Sequence, residues 1–152
     1  MTETSDQVER FRSPGAAETA KIAAALAAGL RPGDVVLLHG DLGAGKTTFV
    51  RGAARALGVA EPVTSPTFTI GQRYEGDVPV SHLDLHRLAD PGGLAGEDPA
   101  LLDDYLTADA NAFVEWPEPA VAAITAPAAT VTLTHAGGDA REITIERHRI
   151  GE

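Results

Sequence analysis

The residues whose types and spacing most clearly suggest a chemical role lie in one short segment, Gly40-Asp-Leu-Gly-Ala-Gly-Lys-Thr47. This segment fits the pattern G-x-x-x-x-G-K-[ST]. Glycines at this spacing tolerate backbone angles that other residues resist, so that successive amides can point at phosphate oxygens. Lys46 has the reach to bind the β- and γ-phosphates of a nucleotide, and the Thr47 hydroxyl can coordinate Mg²⁺. The segment therefore predicts a binding loop for ATP, or a close relative of it, together with Mg²⁺.

The sequence on either side of this loop has the character that such a loop requires. Val35–Leu38 is a continuous apolar run typical of a buried parallel strand, and Lys46–Leu57 is typical of a helix that ends at Gly58. The positive end of that helix would face the same phosphates, which a chance glycine-rich turn would not provide. Thr48 is either an ordinary residue of the first helical turn or a ligand of the α-phosphate. We expect the nucleotide to contact Asp41, Leu42, Gly43, Ala44, Gly45, Lys46, Thr47 and Thr48.

Two carboxylates are candidates for holding the metal or orienting an attacking water. Asp84 follows the predicted strand that begins at Val78, and Glu115 follows the short predicted strand Ala112–Val114. Ligands of parallel-sheet folds bind at the carboxyl ends of the strands, so both acids would lie near the phosphates. Spacing alone does not separate this role from that of a solvated loop acid.

Four other polar or aromatic groups have two interpretations each. Ser65-Pro66-Thr67 is either a turn or a switch segment whose hydroxyls meet the γ-phosphate. Trp116 follows Glu115 directly, and its position alone favours a core or edge residue. His82 and His86 flank Asp84, but strand alternation favours two residues on one face over a metal site, and the five histidines lack zinc-ligand spacing.

The order of elements predicts an α/β fold, a P-loop NTPase-like three-layer sandwich with a mostly parallel sheet, antiparallel edge strands and a C-terminal hairpin. Ser13-Pro14 has the composition of a helix entry. Gly137-Gly138-Asp139 marks the hairpin turn. The predicted helices lie at 18–28, 46–57 and within 94–106, and the predicted strands at 35–38, 67–74, 78–85, 112–114, 130–134 and 142–146.

Length and composition place bounds on the class of protein. The 152 residues fit a single domain over 1–152, in which residues 1–12 read as a loose tail that could end in a short strand. The chain has no cysteine and no apolar run long enough for a membrane helix, so we expect a cytoplasmic protein without a membrane partner. A formal net charge of −10 without a basic run argues against strong direct binding of nucleic acid.

Taken together, these motifs resemble the TsaE family of small ATPases, which help to make the threonylcarbamoyladenosine modification of bacterial tRNA. They occur in the order and with roughly the spacings of that family and cover about the middle two-thirds of the chain. The phosphate loop alone is unspecific, and the other three segments make the resemblance specific. The four segments are His39-Gly-Asp-Leu-Gly-Ala-Gly-Lys-Thr-Thr-Phe49, Val63-Thr-Ser-Pro-Thr-Phe-Thr69, His82-Leu-Asp-Leu-His-Arg-Leu-Ala-Asp-Pro91 and Val114-Glu-Trp-Pro-Glu118.

The resemblance implies an ATPase that works with two proteins, TsaB and TsaD, which carry the tRNA and the carbamoyl-transfer chemistry. It implies that Lys46 holds phosphate, that Thr47 and Glu115 bind Mg²⁺, and that Asp84 polarises water as a Walker-B-like acid. It also places Ser65 and Thr67 in a switch, Trp116 near the nucleotide, and the segment after Pro14 near the adenine. The catalytic set is then Asp84, Lys46 and Thr67.

Two features depart from the family pattern. The position two residues after Asp84 usually holds tyrosine and here holds His86, and the stretch 92–100 is longer and richer in glycine and proline than usual. Two other functions compete with an ATP hydrolase: a nucleotide-gated binding protein with little intrinsic hydrolysis, and a small-molecule kinase. The kinase is disfavoured because the chain has no obvious arginine-rich lid and little room for an acceptor domain.

Overall fold

A computed structural model describes residues 7–41, 44–64, 70–86, 102–118, 124 and 126–148. Two helices and seven strands are formed by these residues. The helices are α1 (Ala16–Ala27) and α2 (Lys46–Ala56). The strands are β1 (Gln7–Ser13), β2 (Val35–His39), β3 (Gly71–Tyr74), β4 (Val80–Asp84), β5 (Asn111–Glu115), β6 (Ala129–His135) and β7 (Arg141–Arg147).

The seven strands form one mixed sheet in the order β1-β7-β6-β2-β5-β4-β3. The inner strands β6, β2, β5 and β4 are parallel, so their carboxyl ends share one edge of the sheet. β3 adds to β4 antiparallel, and β7 and β1 extend the opposite side antiparallel, which includes the predicted C-terminal hairpin. Of the pairings between described strands, three are parallel and three antiparallel, so the predicted parallel strands form the centre of a mixed sheet and the predicted antiparallel strands lie at its edges.

The first strand agrees with the short strand expected at the end of the predicted tail over residues 1–12, and it is longer than that prediction implied. Residues 7–12 belong to β1, which pairs with β7 from Gln7 opposite Arg147 to Ser13 opposite Arg141; residues 1–6 lie outside the described part. The partner strand is distant in sequence, so a local pattern could not reveal it. Ser13 does not cap α1 either: its hydroxyl donates to the Gly15 carbonyl at 2.7 Å and lies 2.7 Å from the Thr19 hydroxyl.

The two faces of the sheet are covered differently. Both helices pack on one face, where Phe49, Val50 and Leu26 join buried strand residues in the larger apolar cluster. On the other face, Leu83 and Val114 pack with Leu102. Residues 102–106 form turns and no α-helix, and the rest of the predicted segment 94–106 lies outside the described residues. The described part of the chain thus has one helical layer, and the predicted three-layer arrangement is not confirmed.

The crossing of α1 and α2 requires a small residue. A Cβ atom added at Gly52 would lie 2.6 Å from both the Cα and the carbonyl oxygen of Ala20, closer than side-chain atoms pack. Gly52 therefore allows the two backbones to touch. Neither α1 nor α2 has the length or the apolar continuity needed to cross a membrane, and these are the helices found within the described ranges.

Candidate functional site

Two glycines give the predicted phosphate loop its path between β2 and α2. Gly40 has φ 150° and Gly45 has φ 102°, a region that other residues rarely adopt. A Cβ atom at Gly40 would also lie 2.6 Å from the Leu133 carbonyl oxygen, so the loop runs against the backbone of β6. Gly45 then occupies the N-cap of α2, which directs the free amides of the first turn toward the loop. Leu42 and Gly43 lie outside the described residues.

An arginine from the C-terminal hairpin holds this loop in place. Arg141 Nε donates to the Ala44 carbonyl at 3.1 Å, and its Nη1 donates to the carbonyls of Gly138 and Ala140, each at 2.9 Å. Sequence reasoning missed Arg141, because the contact joins residues almost a hundred positions apart and no local pattern marks it. Arg141, Gly45 and Thr48 line a cavity of about 240 Å³ beside the loop, which leaves both interpretations of Thr48 open.

Lys46 lies at the centre of the site and is buried, with 5% of its surface exposed. Its ammonium group donates to the carbonyl of Gly40 and, at 3.1 Å, to that of Asp41, and it lies 4.8 Å from the centroid of the Trp116 ring. Burial lowers the pKa of Lys46, and the carboxylates of Glu115 and Asp84 oppose this effect. An anionic phosphate at this position would further favour the charged form.

The two predicted carboxylates are neighbours in the sheet. Asp84 of β4 is paired with Glu115 of β5 where these parallel strands end. Glu115 is buried, with 3% exposed, and its Oε2 accepts a hydrogen bond from the Thr47 hydroxyl at 3.3 Å. Asp84 is half-buried and accepts a hydrogen bond from the His86 amide at 3.0 Å. The fold therefore brings together Lys46, Thr47, Asp84 and Glu115, as the strand-end argument predicts.

His82 is the second residue of the site that sequence reasoning missed. Its side chain is fully buried, and its Nε2 lies 2.5 Å from Glu115 Oε2, the same oxygen that Thr47 contacts. Its Nδ1 is buried and has no partner among the described residues. A signal was available, because strand alternation places His82 on the same face as Asp84, and Asp84 is in register with Glu115.

Replacing His82 by leucine should lower the free energy of unfolding by about 2–3 kcal/mol, because it leaves a buried carboxyl group without one of its two described hydrogen-bond donors. Urea denaturation followed by circular dichroism measures the change. His135→Leu is the matched control, since His135 is exposed at the end of β6, and it should shift stability by less than about 0.5 kcal/mol. Equal stability of the His82 variant and the wild type would mean that the contact with Glu115 contributes nothing.

Trp116 is neither a simple core residue nor an edge residue. It has φ 55°, an uncommon backbone conformation for a bulky side chain. Its ring lies beside the Lys46 ammonium and 5.1 Å from the ring of His86, at an angle of 51°. Its Nε1 is buried without a partner among the described residues. Trp116 thus lies against the phosphate loop, and its ring contacts both Lys46 and His86.

The chemistry of the donor set fits Mg²⁺ rather than a metal held by protein side chains alone. No group of three or more His, Cys, Asp or Glu residues with metal-binding geometry occurs in the described ranges. The hydroxyl of Thr47 and Oε2 of Glu115 are 3.3 Å apart, near the separation of about 3 Å between adjacent ligands of an octahedral Mg²⁺. Mg²⁺ commonly takes one or two protein ligands and completes its shell with phosphate oxygens and water.

Four predicted site residues lie outside the described residues, so their roles stay predictions: Leu42 and Gly43 of the phosphate loop, and Ser65 and Thr67 of the proposed switch.

Comparison with known proteins decides the family. A family model described as "Threonylcarbamoyl adenosine biosynthesis protein TsaE" matches residues 13–143, which is most of the chain and includes every side chain of the site described above. The chain belongs to the TsaE family. The predicted family resemblance is therefore confirmed.

Individual TsaE relatives support the same assignment. The tRNA threonylcarbamoyladenosine biosynthesis protein TsaE of Bacillus subtilis is 40% identical over 136 residues, covering 89% of this chain and 83% of the relative. The protein of the same name from Treponema pallidum is 33% identical over 144 residues, covering 90% and 98%. The crystal structure of YdiB from Bacillus subtilis has a TM-score of 0.77 and 33% identity, covering 96% of this chain and 89% of the other.

Proposed function

We propose that this protein is a Mg²⁺-dependent ATPase that serves the threonylcarbamoyladenosine modification of tRNA together with TsaB and TsaD. Membership of the TsaE family supports the pathway. The observation that carries the ATPase activity is the convergence of Lys46, Thr47 and Glu115 where α2 begins and β5 ends. A cytoplasmic location is part of this proposal.

Nucleotide binding follows from the charges and the shape of the loop. Lys46 would exchange its contacts with the loop carbonyls for oxygens of the β- and γ-phosphates, with the amides of the first turn of α2 as further donors. Any movement of Lys46 away from the Trp116 ring would also break the contact between the ammonium group and that ring. The free amides and Lys46 would recognise the phosphates. The base is proposed to bind beside the segment after Pro14, which borders the cavity next to Thr48.

Hydrolysis requires a metal site and an ordered water. Thr47 and Glu115 would hold Mg²⁺, which neutralises charge that develops on the γ-phosphoryl group. His82 would hold the Glu115 carboxylate in place through its contact with Oε2, which keeps that oxygen beside the Thr47 hydroxyl. Asp84 lies next to Glu115 in the sheet, where it could accept a proton from a water or fix the water's orientation. Thr67 is proposed as a further catalytic residue on the family resemblance.

Partner dependence is supported by the contacts of Arg51 and Arg73, which bind protein groups other than Lys46, Thr47 and Glu115. Arg51 Nε donates to the Val63 carbonyl at 2.7 Å, and Arg73 is held by Thr107 and Asp109. Arg87 lies outside the described residues. The net charge of −10 also disfavours binding of tRNA by this chain alone. We therefore assign tRNA contact and completion of the catalytic site to TsaB and TsaD.

The test is phosphate release at saturating ATP and Mg²⁺ while TsaB–TsaD is titrated. Turnover by the isolated protein should be slow and should rise about tenfold or more with the partners, equal to a barrier lower by about 1.4 kcal/mol. Lys46→Ala is the control that should not respond. Turnover that ignores the partners would favour a self-sufficient enzyme. ATP-dependent assembly without phosphate release would favour the nucleotide-gated binding protein, and labelled phosphate on a small acceptor would favour a kinase.

A further inference from the structure

A groove runs along the outer side of the crossing between α1 and α2. It encloses about 520 Å³, and its floor is built from small residues of the two helices: Ala16, Ala17, Ala20, Ala24, Gly52 and Ala56. It extends along nine residues of α2, from Thr48 to Ala56, or about 12 Å along the helix. Only the end of the groove at Ala16 and Thr48 borders the proposed nucleotide site, and the rest of this surface has no role in the functions assigned above.

The rim of the groove is basic on a protein that is acidic overall. Lys21, Arg51 and Arg55 line it and are exposed, and no carboxylate is among its lining residues. Two other exposed arginines form ion pairs, Arg12 with Glu142 and Arg73 with Asp109. No ion pair to a described carboxylate is formed by the three rim cations. The groove is therefore a local positive surface on a chain of net charge −10.

The lining indicates which class of molecule fits. Alanine and glycine allow another backbone to approach closely, as at the packed interfaces of helices, where axes lie about 8–10 Å apart. Among the described residues that line the groove there is no aromatic side chain on which a base could stack. These features favour an acidic protein helix over RNA.

The position of the groove would connect its occupant to the nucleotide. Its upper end is formed by Thr48, one residue after the proposed Mg²⁺ ligand Thr47 and a lining residue of the cavity beside the loop. Its lower end meets a second cavity, of about 220 Å³, through Arg51 and Arg55, and Arg51 also binds the Val63 carbonyl. A helix bound in the groove would therefore contact α2 along its length, from the phosphate loop at one end to the neighbourhood of Val63, shortly before Ser65, at the other.

We propose that the groove between α1 and α2 is a docking site for an acidic helix of a protein partner, with carboxylates of that helix paired to Lys21, Arg51 and Arg55 and its small apolar face on the alanine floor. The choice of partner for the test rests on the proposed function, in which TsaB–TsaD is that partner.

The experiment measures binding of the TsaB–TsaD complex to immobilised full-length protein with Mg²⁺ and ATP, over a range of salt concentrations. Arg55→Glu reverses a rim charge, and Ala56→Phe fills the floor at the end of the groove away from the phosphate loop. Arg10→Glu and Ala25→Phe are matched controls, because Arg10 and Ala25 are exposed on β1 and α1 but do not line the groove. ATP affinity of the four variants, followed by fluorescence of Trp116, verifies that each remains folded.

Both groove variants should weaken binding at least about tenfold, while the controls stay within about twofold of the wild type. Arg55→Glu should also flatten the salt dependence, because one charge contact is lost. Equal binding by all four variants would overturn the docking site and leave the proposed function intact. Failure of the wild type itself to bind would overturn the partnership with TsaB–TsaD and the docking site with it. Loss of tRNA binding in the groove variants, without loss of protein binding, would make the groove an RNA surface instead.

Discussion

Replacing Lys46 by alanine should weaken ATP binding by about 1.5–3 kcal/mol, or about 10- to 150-fold, because it removes a charge-assisted hydrogen bond to phosphate. The buried position of Lys46 supports the upper part of this range, since its neighbours already hold the ammonium group at the loop and little ordering would remain to be done on binding. Isothermal titration calorimetry with and without Mg²⁺ measures the loss.

Two further variants identify the source of that loss. Lys46→Met retains the aliphatic stem beside Trp116 and removes the charge, so it should lose about as much affinity as Lys46→Ala. Arg12→Ala alters an exposed ion pair with Glu142 and should leave ATP affinity unchanged. Affinity equal to that of the wild type in both lysine variants would mean that Gly40–Thr47 does not bind the nucleotide.

Glu115→Gln should reduce ATP hydrolysis about 100-fold or more, a barrier higher by about 3 kcal/mol, while nucleotide binding without metal changes by less than about threefold. Glutamine preserves an acceptor for Thr47 and His82 and removes the charge that would bind Mg²⁺. Phosphate release measured across a Mg²⁺ titration separates the two effects, because a weaker metal site shifts the midpoint of the titration. Unchanged hydrolysis at saturating Mg²⁺ would remove Glu115 from the site.

Asp84→Asn is the companion to this experiment, since it makes the same chemical change at the neighbouring strand end. An asparagine still accepts the His86 amide hydrogen bond, so the local backbone is preserved. Loss of turnover at constant nucleotide and metal affinity is the expected result for a group that orients water. Full activity of the Asp84→Asn variant would mean that Asp84 only stabilises the turn at His86.

The sequence was most informative where a function depends on neighbouring residues or on strand ends. The phosphate loop, the strand before it and the helix that begins at Lys46 follow from local composition. The proximity of Asp84 and Glu115 follows from a general property of parallel sheets. The family resemblance indicated that these segments act together in one site, which no single motif could show.

The remaining contacts depend on sheet order, which local patterns do not contain. The position of β1 beside β7, the hydrogen bond of Arg141 to the loop, and the pairing of His82 with Glu115 each join residues that are far apart in the chain. A polar strand such as residues 7–12 resembles an unstructured tail until its partner is known. The antiparallel pairings on this side of the sheet also depend on the strand order, because β7 and β1 extend the sheet beyond β6.

The contacts of the loop with β6 and β7 also set the time at which the site can form during synthesis. Gly40 rests against the Leu133 backbone, and Arg141 supports Ala44. A ribosome adding about 5–20 residues per second would deliver these supports several seconds after the loop itself has been made. Until then the nascent chain has the complete phosphate-binding motif without the backbone that shapes it. The proposed nucleotide binding would therefore be gained late in translation, and pairings of such high contact order also predict slow folding.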